Sequence, residues 1–204
     1  MTRSTKAAAR ELLARALEQG GYFTAKQARQ AGYGYAHLDY HVASGNFERV
    51  GHGLYRLAGL PPGESDDLVR LSLWSRDRAD RPQAVVSHES ALVLHELTEL
   101  LPGAVHLTVP PGFRKGAPAG CVLHRGRLSL ADVEERAGFR VTTPLRSLLD
   151  AAAGSVSEEQ LGKAVAEALR RGLVRKGRLL DAARGSRRGE RIVTMLEGPG
   201  VTVS

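Results

Sequence analysis

The chain has 204 residues, 42% hydrophobic and 25% charged, a composition that suits a globular protein of one or two domains. No run approaches the roughly 18 consecutive apolar residues of a membrane span, and the opening MTRSTKAAARELLARALEQ lacks the apolar stretch of a secretory signal. The single cysteine, Cys121, excludes an internal disulfide and a cysteine-based metal site, so a cytoplasmic protein is expected. The net charge of +7 is uneven: residues 1–60 hold 8 Lys/Arg against 4 Asp/Glu, residues 61–150 hold 11 against 12, and residues 151–204 hold 10 against 6. A basic end suits a polyanionic partner, and equally an arginine-rich genome, so charge needs a motif beside it.

Residues 4–19 read as a helix with Ala8, Leu12, Leu13, Ala16 and Leu17 on the apolar stripe, stopped by Gly20-Gly21. Thr24 is placed to cap a short helix, Ala25 to Ala31, closed by Gly32. A turn at Tyr33-Gly34 leads into a second short helix, Tyr35 to Ser44, ended by Gly45-Asn46. Alternating apolar residues on both sides of Gly51-His52-Gly53 mark a hairpin over Phe47 to Leu57. Helix, short helix, turn, short helix and hairpin within 60 residues is the winged helix-turn-helix layout.

Leu60 to Asp67 mixes Pro, Gly and acids and reads as a linker, and Leu68 to Ala79 as an amphipathic helix. Strands are expected at 84–86, 105–109, 121–124 and 139–141. Between them come a helix from His88 to Leu97 capped by Ser87, a basic loop over 113–120, and a short helix from Ser129 to Arg136. Thr143-Pro144 starts a helix running to Ala153. Ser157 to Gln160 has capping-box spacing before a helix to Arg171, and Lys176 to Ala183 and Glu190 to Leu196 complete the chain. The fold class is therefore α+β: a winged helix-turn-helix over 1–60, then a mixed α/β domain over 61–204 with a helical C-terminal part.

In a helix-turn-helix the second short helix enters the major groove of double-stranded DNA. Here Tyr35, Leu38 and Val42 share one face and are assigned to the core. His37, Tyr40, His41 and Ser44 share the opposite face and would meet base edges. Tyr35, at the helix start, is kept among the DNA-contact candidates. Phosphate contacts fall to Lys26, Arg29, Arg49 and Arg56, with Arg3 and Lys6 as further cations, and His52 at the hairpin tip could reach a minor groove. Asp39 on the exposed side opposes phosphate. His37 and His41 are four apart, a metal-ligand spacing, but lack third and fourth ligands, so no metal or other cofactor is expected.

The run GGYFTAKQARQAGYGYAHLDYHVASGNFERVGHGLYRLAG resembles the N-terminal domain of AbiEi-type antitoxins. The wing pattern R-V-x-x-G-x-Y-x-L is met in full by Arg49 to Leu57. Ser87 to Leu92, His106 to Pro110 and Val141 to Asp150 resemble pieces of that family's second domain in order and spacing. The resemblance implies the antitoxin of a type IV toxin–antitoxin operon, a non-enzymatic repressor that binds inverted repeats upstream of its own genes. It also implies a nucleotidyltransferase-like toxin as partner. Relatives carry arginines in the recognition helix where this chain has Ala36, His37, Asp39, Tyr40 and His41.

The alternative is a protein-interaction adaptor, since fold does not fix function. Ser87-His88-Glu89 with His95 invites a catalytic reading, but no glycine elbow surrounds the serine, and caps with buried polar contacts explain these residues. Arg146 and Asp150 have the spacing of a helical ion pair. Some related proteins continue into a nuclease domain, yet residues 154–204 are helical and too few for one. The basic residues Arg170, Arg171, Arg175, Lys176, Arg178, Arg184, Arg187, Arg188 and Arg191 read as a solvated helical face or as a second DNA-contacting surface.

Overall fold

The computed structural model describes residues 5–99, 102–186 and 189–198. Its contacts divide the chain into two units, one of residues 1–83 with 135–139, the other of 84–134 with 140–204.

The first unit opens with α1 (Thr5–Leu17). Ala8, Leu12 and Ala16, spaced four apart, form its buried row, while Leu13 and Leu17 stay exposed. Five apolar positions span too wide an arc for one contact face; the second row lies about 100° further round the helix. After two glycines, β1 (Tyr22–Thr24) forms where the sequence suggests only a connection. It pairs with the wing, Phe23 opposite Tyr55, which makes a three-stranded sheet of order β1-β3-β2. Gly21 is required there: its φ is +90°, and a Cβ would lie 2.5 Å from Leu60 Cδ1.

Helix α2 (Ala25–Ala31) begins on a full capping box. The Thr24 hydroxyl accepts from Gln27 N at 3.1 Å, and Gln27 Oε1 accepts from Thr24 N at 2.8 Å. Gly32, left-handed at φ 108°, ends the helix. Helix α3 (Tyr35–Ala43) follows, then β2 (Phe47–Gly51) and β3 (Leu54–Leu57), antiparallel with a bulge between Arg49 and Gly51. Phe23 sits at the centre of the core, edge-on to Phe47 at 4.9 Å and stacked on Tyr55 at 5.7 Å. Helix α4 (Asp66–Trp74) starts two residues earlier than its sequence pattern, with Asp66 and Asp67 favouring the positive end of the helix dipole.

The second unit contains β4 (Val85–Val86), α5 (His88–Leu94), β5 (Val105–Val109), β6 (Cys121–Arg125), a 3-10 turn (Leu130–Asp132), β7 (Val133–Glu135) and β8 (Arg140–Thr142). The sheet order is β6-β5-β4-β8-β7. β4 runs antiparallel to β5 and parallel to β8, and β5 runs parallel to β6. The helix expected from Ser129 to Arg136 is corrected to one 3-10 turn and a strand. Ser129 and Asp132 cap each other within three residues, and Val133 turns extended at φ −128°. Helices α6 (Pro144–Ala152), α7 (Glu158–Arg170), α8 (Lys176–Arg184) and α9 (Glu190–Glu197) pack around Leu148, Leu161, Leu179 and Ile192, each at 0% exposure. Among the described residues, no helix is long and apolar enough to cross a membrane.

Candidate nucleic-acid interface

The short helices α2 and α3 are held by polar as well as apolar contacts. Gln27 is buried and exchanges hydrogen bonds with Gln19: its Nε2 donates to Gln19 Oε1 at 2.9 Å, and Gln19 Nε2 returns a bond at 3.3 Å. Arg76 Nη2 donates to the same Gln19 oxygen at 2.8 Å. This network ties the end of α1 to the first turn of α2, so α3 is presented from a fixed base. The capping-box spacing Thr24-x-x-Gln27 was the signal for it in the sequence, read there only as a cap.

Leu38 anchors α3 with full burial, and Val42 packs partly against the same core. Tyr35 does not join them. At 61% exposure it stands outside the core to which its spacing assigned it, with the Arg29 guanidinium over its ring at 5.3 Å. Helical phase alone therefore misplaces this residue. Tyr40 is exposed to a similar degree, and His37 and Ser44 are exposed beside it. Asp39 is exposed on the same helix.

His41 is placed differently from its neighbours. Its ring stacks on Phe47 at 4.8 Å, and its Nδ1 lies 3.2 Å from Asn46 Nδ2. It braces α3 against β2 more than it faces solvent. Tyr33, packed against both this ring and Phe47, has its phenol pushed up by burial.

The cations separate into two groups. Arg29 and Arg49 are exposed, and Lys26 is exposed while bonded to the Arg78 carbonyl. Lys6 is exposed on α1; Arg3 lies outside the described residues. His52 is exposed at the hairpin tip. Arg56, by contrast, is only 8% exposed. It donates to the Pro61 carbonyl at 2.5 Å, lies 3.7 Å from Asp66 and sits over the Tyr22 ring at 5.5 Å. The Tyr22 hydroxyl donates to Asp66 at 3.0 Å, and burial first, then that bond, push its phenol up. Arg56 is thus corrected from a phosphate contact to an internal tie. Adjacent Tyr55 and Arg56 are both buried, because Pro61 and Asp66, from beyond the hairpin, cover Arg56.

The C-terminal arginines are largely engaged within their own unit. Arg170 pairs with Glu167, Arg184 with Glu197, and Arg191 with Glu158, while Arg191 also donates to the Val156 carbonyl at 2.5 Å. Arg171 donates to the His95 carbonyl at 2.8 Å. Arg175, Lys176 and Arg178 are exposed; Arg187 and Arg188 lie outside the described residues.

The first unit is therefore a winged helix-turn-helix in which Tyr35, His37 and Tyr40 of α3 are exposed, with Arg29 over the Tyr35 ring. Residues 10–58 match the model of the family described as transcriptional regulator, AbiEi antitoxin. That match spans the N-terminal quarter of the chain and agrees with the resemblance carried by the wing motif. Over the whole chain the fold is similar to that in the crystal structure of RV2827C protein from Mycobacterium tuberculosis, at 17% identity and a TM-score of 0.53, covering 100% of this chain and 85% of that one. No curated protein matches.

Proposed function

We propose that the protein is a DNA-binding repressor, the antitoxin of a type IV, AbiE-like toxin–antitoxin operon, which regulates its own operon by binding inverted repeats upstream of it. The observation that carries this reading is the exposed face of α3. Tyr35, His37 and Tyr40 are exposed on α3, with Arg29 over the Tyr35 ring and Lys26 and Arg49 exposed in the same unit. Tyr and His supply hydrogen bonds and ring faces for base edges, and the surrounding cations supply phosphate affinity. The family match supports the regulatory role. The DNA-contact set is Lys26, Arg29, Tyr35, His37, Tyr40, Ser44, Arg49 and His52. A nucleotidyltransferase-like toxin is the partner in this reading, and the protein itself is not an enzyme.

A mobility-shift assay with the DNA upstream of its own gene tests the proposal. A shift at low salt that survives excess non-operator DNA is the expected result, and its absence with folded protein refutes the repressor reading. Exposed Asp39, and the lack of any Lys or Arg on α3, favour one other reading, a winged helix used as a protein-interaction adaptor. That reading requires a folded protein with no shift.

A further inference from the structure

The second unit holds a cavity of about 360 Å³ lined by His88, Thr108, His124, Arg125 and Arg146, with Leu123 among its apolar walls. Most of its polar side chains are fixed from behind. Ser87 occupies the cap position of α5 but makes no capping bond. Its hydroxyl instead accepts from the Thr108 hydroxyl at 2.8 Å and lies 2.9 Å from His88 Nδ1. The hydroxyl that would cap the helix is here diverted to holding an imidazole. His88 itself has φ +53°, a left-handed conformation unfavourable for a non-glycine residue and characteristic of functional sites. Its ring stacks on His124 at 3.6 Å between centroids. His124 Nε2 lies 3.0 Å from His106 Nδ1, which is in turn 3.1 Å from a Glu89 oxygen. Arg146 is oriented by Asp150, at 3.0 Å and 1% side-chain exposure, and by Asp132 at 3.6 Å.

We propose that this cavity binds a phosphate monoester. Two guanidinium groups and two imidazoles line it, and the carboxylates of Asp150, Asp132 and Glu89 stand behind those groups, where they orient donors. Among the described residues, no three His, Cys, Asp or Glu side chains are grouped to hold a metal ion, and the face-to-face imidazoles do not converge on one point. Arg125 is exposed at the C-terminal end of β6, and among the described residues its side chain donates to the Phe113 carbonyl alone, at 3.4 Å. Its five-donor fork therefore keeps capacity for a ligand. The volume lies at the small end of ligand pockets, large enough for a sugar phosphate or a mononucleotide.

Titration calorimetry on the full chain tests this with inorganic phosphate, ribose 5-phosphate, a mononucleotide and the matching nucleoside. Saturable binding of at least one phosphate species is expected, with the nucleoside silent. Arg125→Gln should weaken that binding roughly tenfold or more, the loss of one charge-assisted bond, at unchanged melting temperature. The species bound most tightly names the ester. The proposal is overturned if no phosphate species binds the folded protein, if the nucleoside binds equally, or if Arg125→Gln binds like the wild type. The operator shift is independent of this outcome, so either conclusion can fail alone.

Discussion

Gln27→Ala should be among the most costly single changes in the winged helix-turn-helix unit, although it deletes a polar side chain. The substitution removes the Gln27 half of the capping box and both bonds with Gln19, at 2.8, 2.9 and 3.3 Å. Each net bond contributes about 1 kcal/mol, and the Gln19 amide and Thr24 N–H left behind in a buried site add a desolvation penalty. Only a few atoms of apolar stem are lost with them. The total is about 3 kcal/mol, against the 5–15 kcal/mol that typically separates folded from unfolded protein. The chain has one tryptophan, Trp74, at the end of α4 in the same unit, so its fluorescence reports on this unit alone. Urea unfolding followed at Trp74 should show a lower midpoint at an unchanged slope. A loss below about 1 kcal/mol would mean that the two glutamines are not coupled as described, and Gln27→Glu, which keeps the cap acceptor, should recover part of any loss.

Three further outcomes separate contact from support. His37→Ala with Tyr40→Ala should weaken operator binding about tenfold or more while leaving stability and non-operator binding nearly unchanged, and equal loss on both DNAs would show that these side chains read no bases. Arg49→Ala should lower the salt dependence of DNA binding by about one unit of slope, whereas Arg56→Ala should leave that slope alone and cost about 2 kcal/mol of stability, read by the two assays side by side. Arg191→Ala, which removes bonds to Glu158 and to the Val156 carbonyl, should lower the melting temperature without changing the salt slope; a lower slope would place the C-terminal helices on DNA.

The parts of the fold legible in the sequence are those fixed by local chemistry. Thr24, Gly32 and Gly45 mark the bounds of α2 and α3 because a cap or a left-handed residue acts within a few positions of itself. The hairpin is legible for the same reason. The misreadings fall where a distant partner decides. Ser87 looks like a cap until Thr108, twenty-one residues on, takes its hydroxyl. Arg56 looks like a wing cation until Asp66 approaches it from beyond the hairpin. The strand β1 is three residues long, too short to show alternation, and exists because β3 lies beside it. The cavity of the second unit was invisible for the same reason: its histidines and arginines come from one strand and two helix starts, far apart in the chain.

The tie between Arg56, Tyr22 and Asp66 also sets how the regulator can be dissected. A fragment cut after the hairpin would keep every residue of the proposed DNA-contact set, yet it would strand a guanidinium and a phenol that are buried against α4. Residues 61–83 therefore belong to the same folding unit as the hairpin, and so do residues 135–139, so a truncation that respects the unit cannot stop at the hairpin.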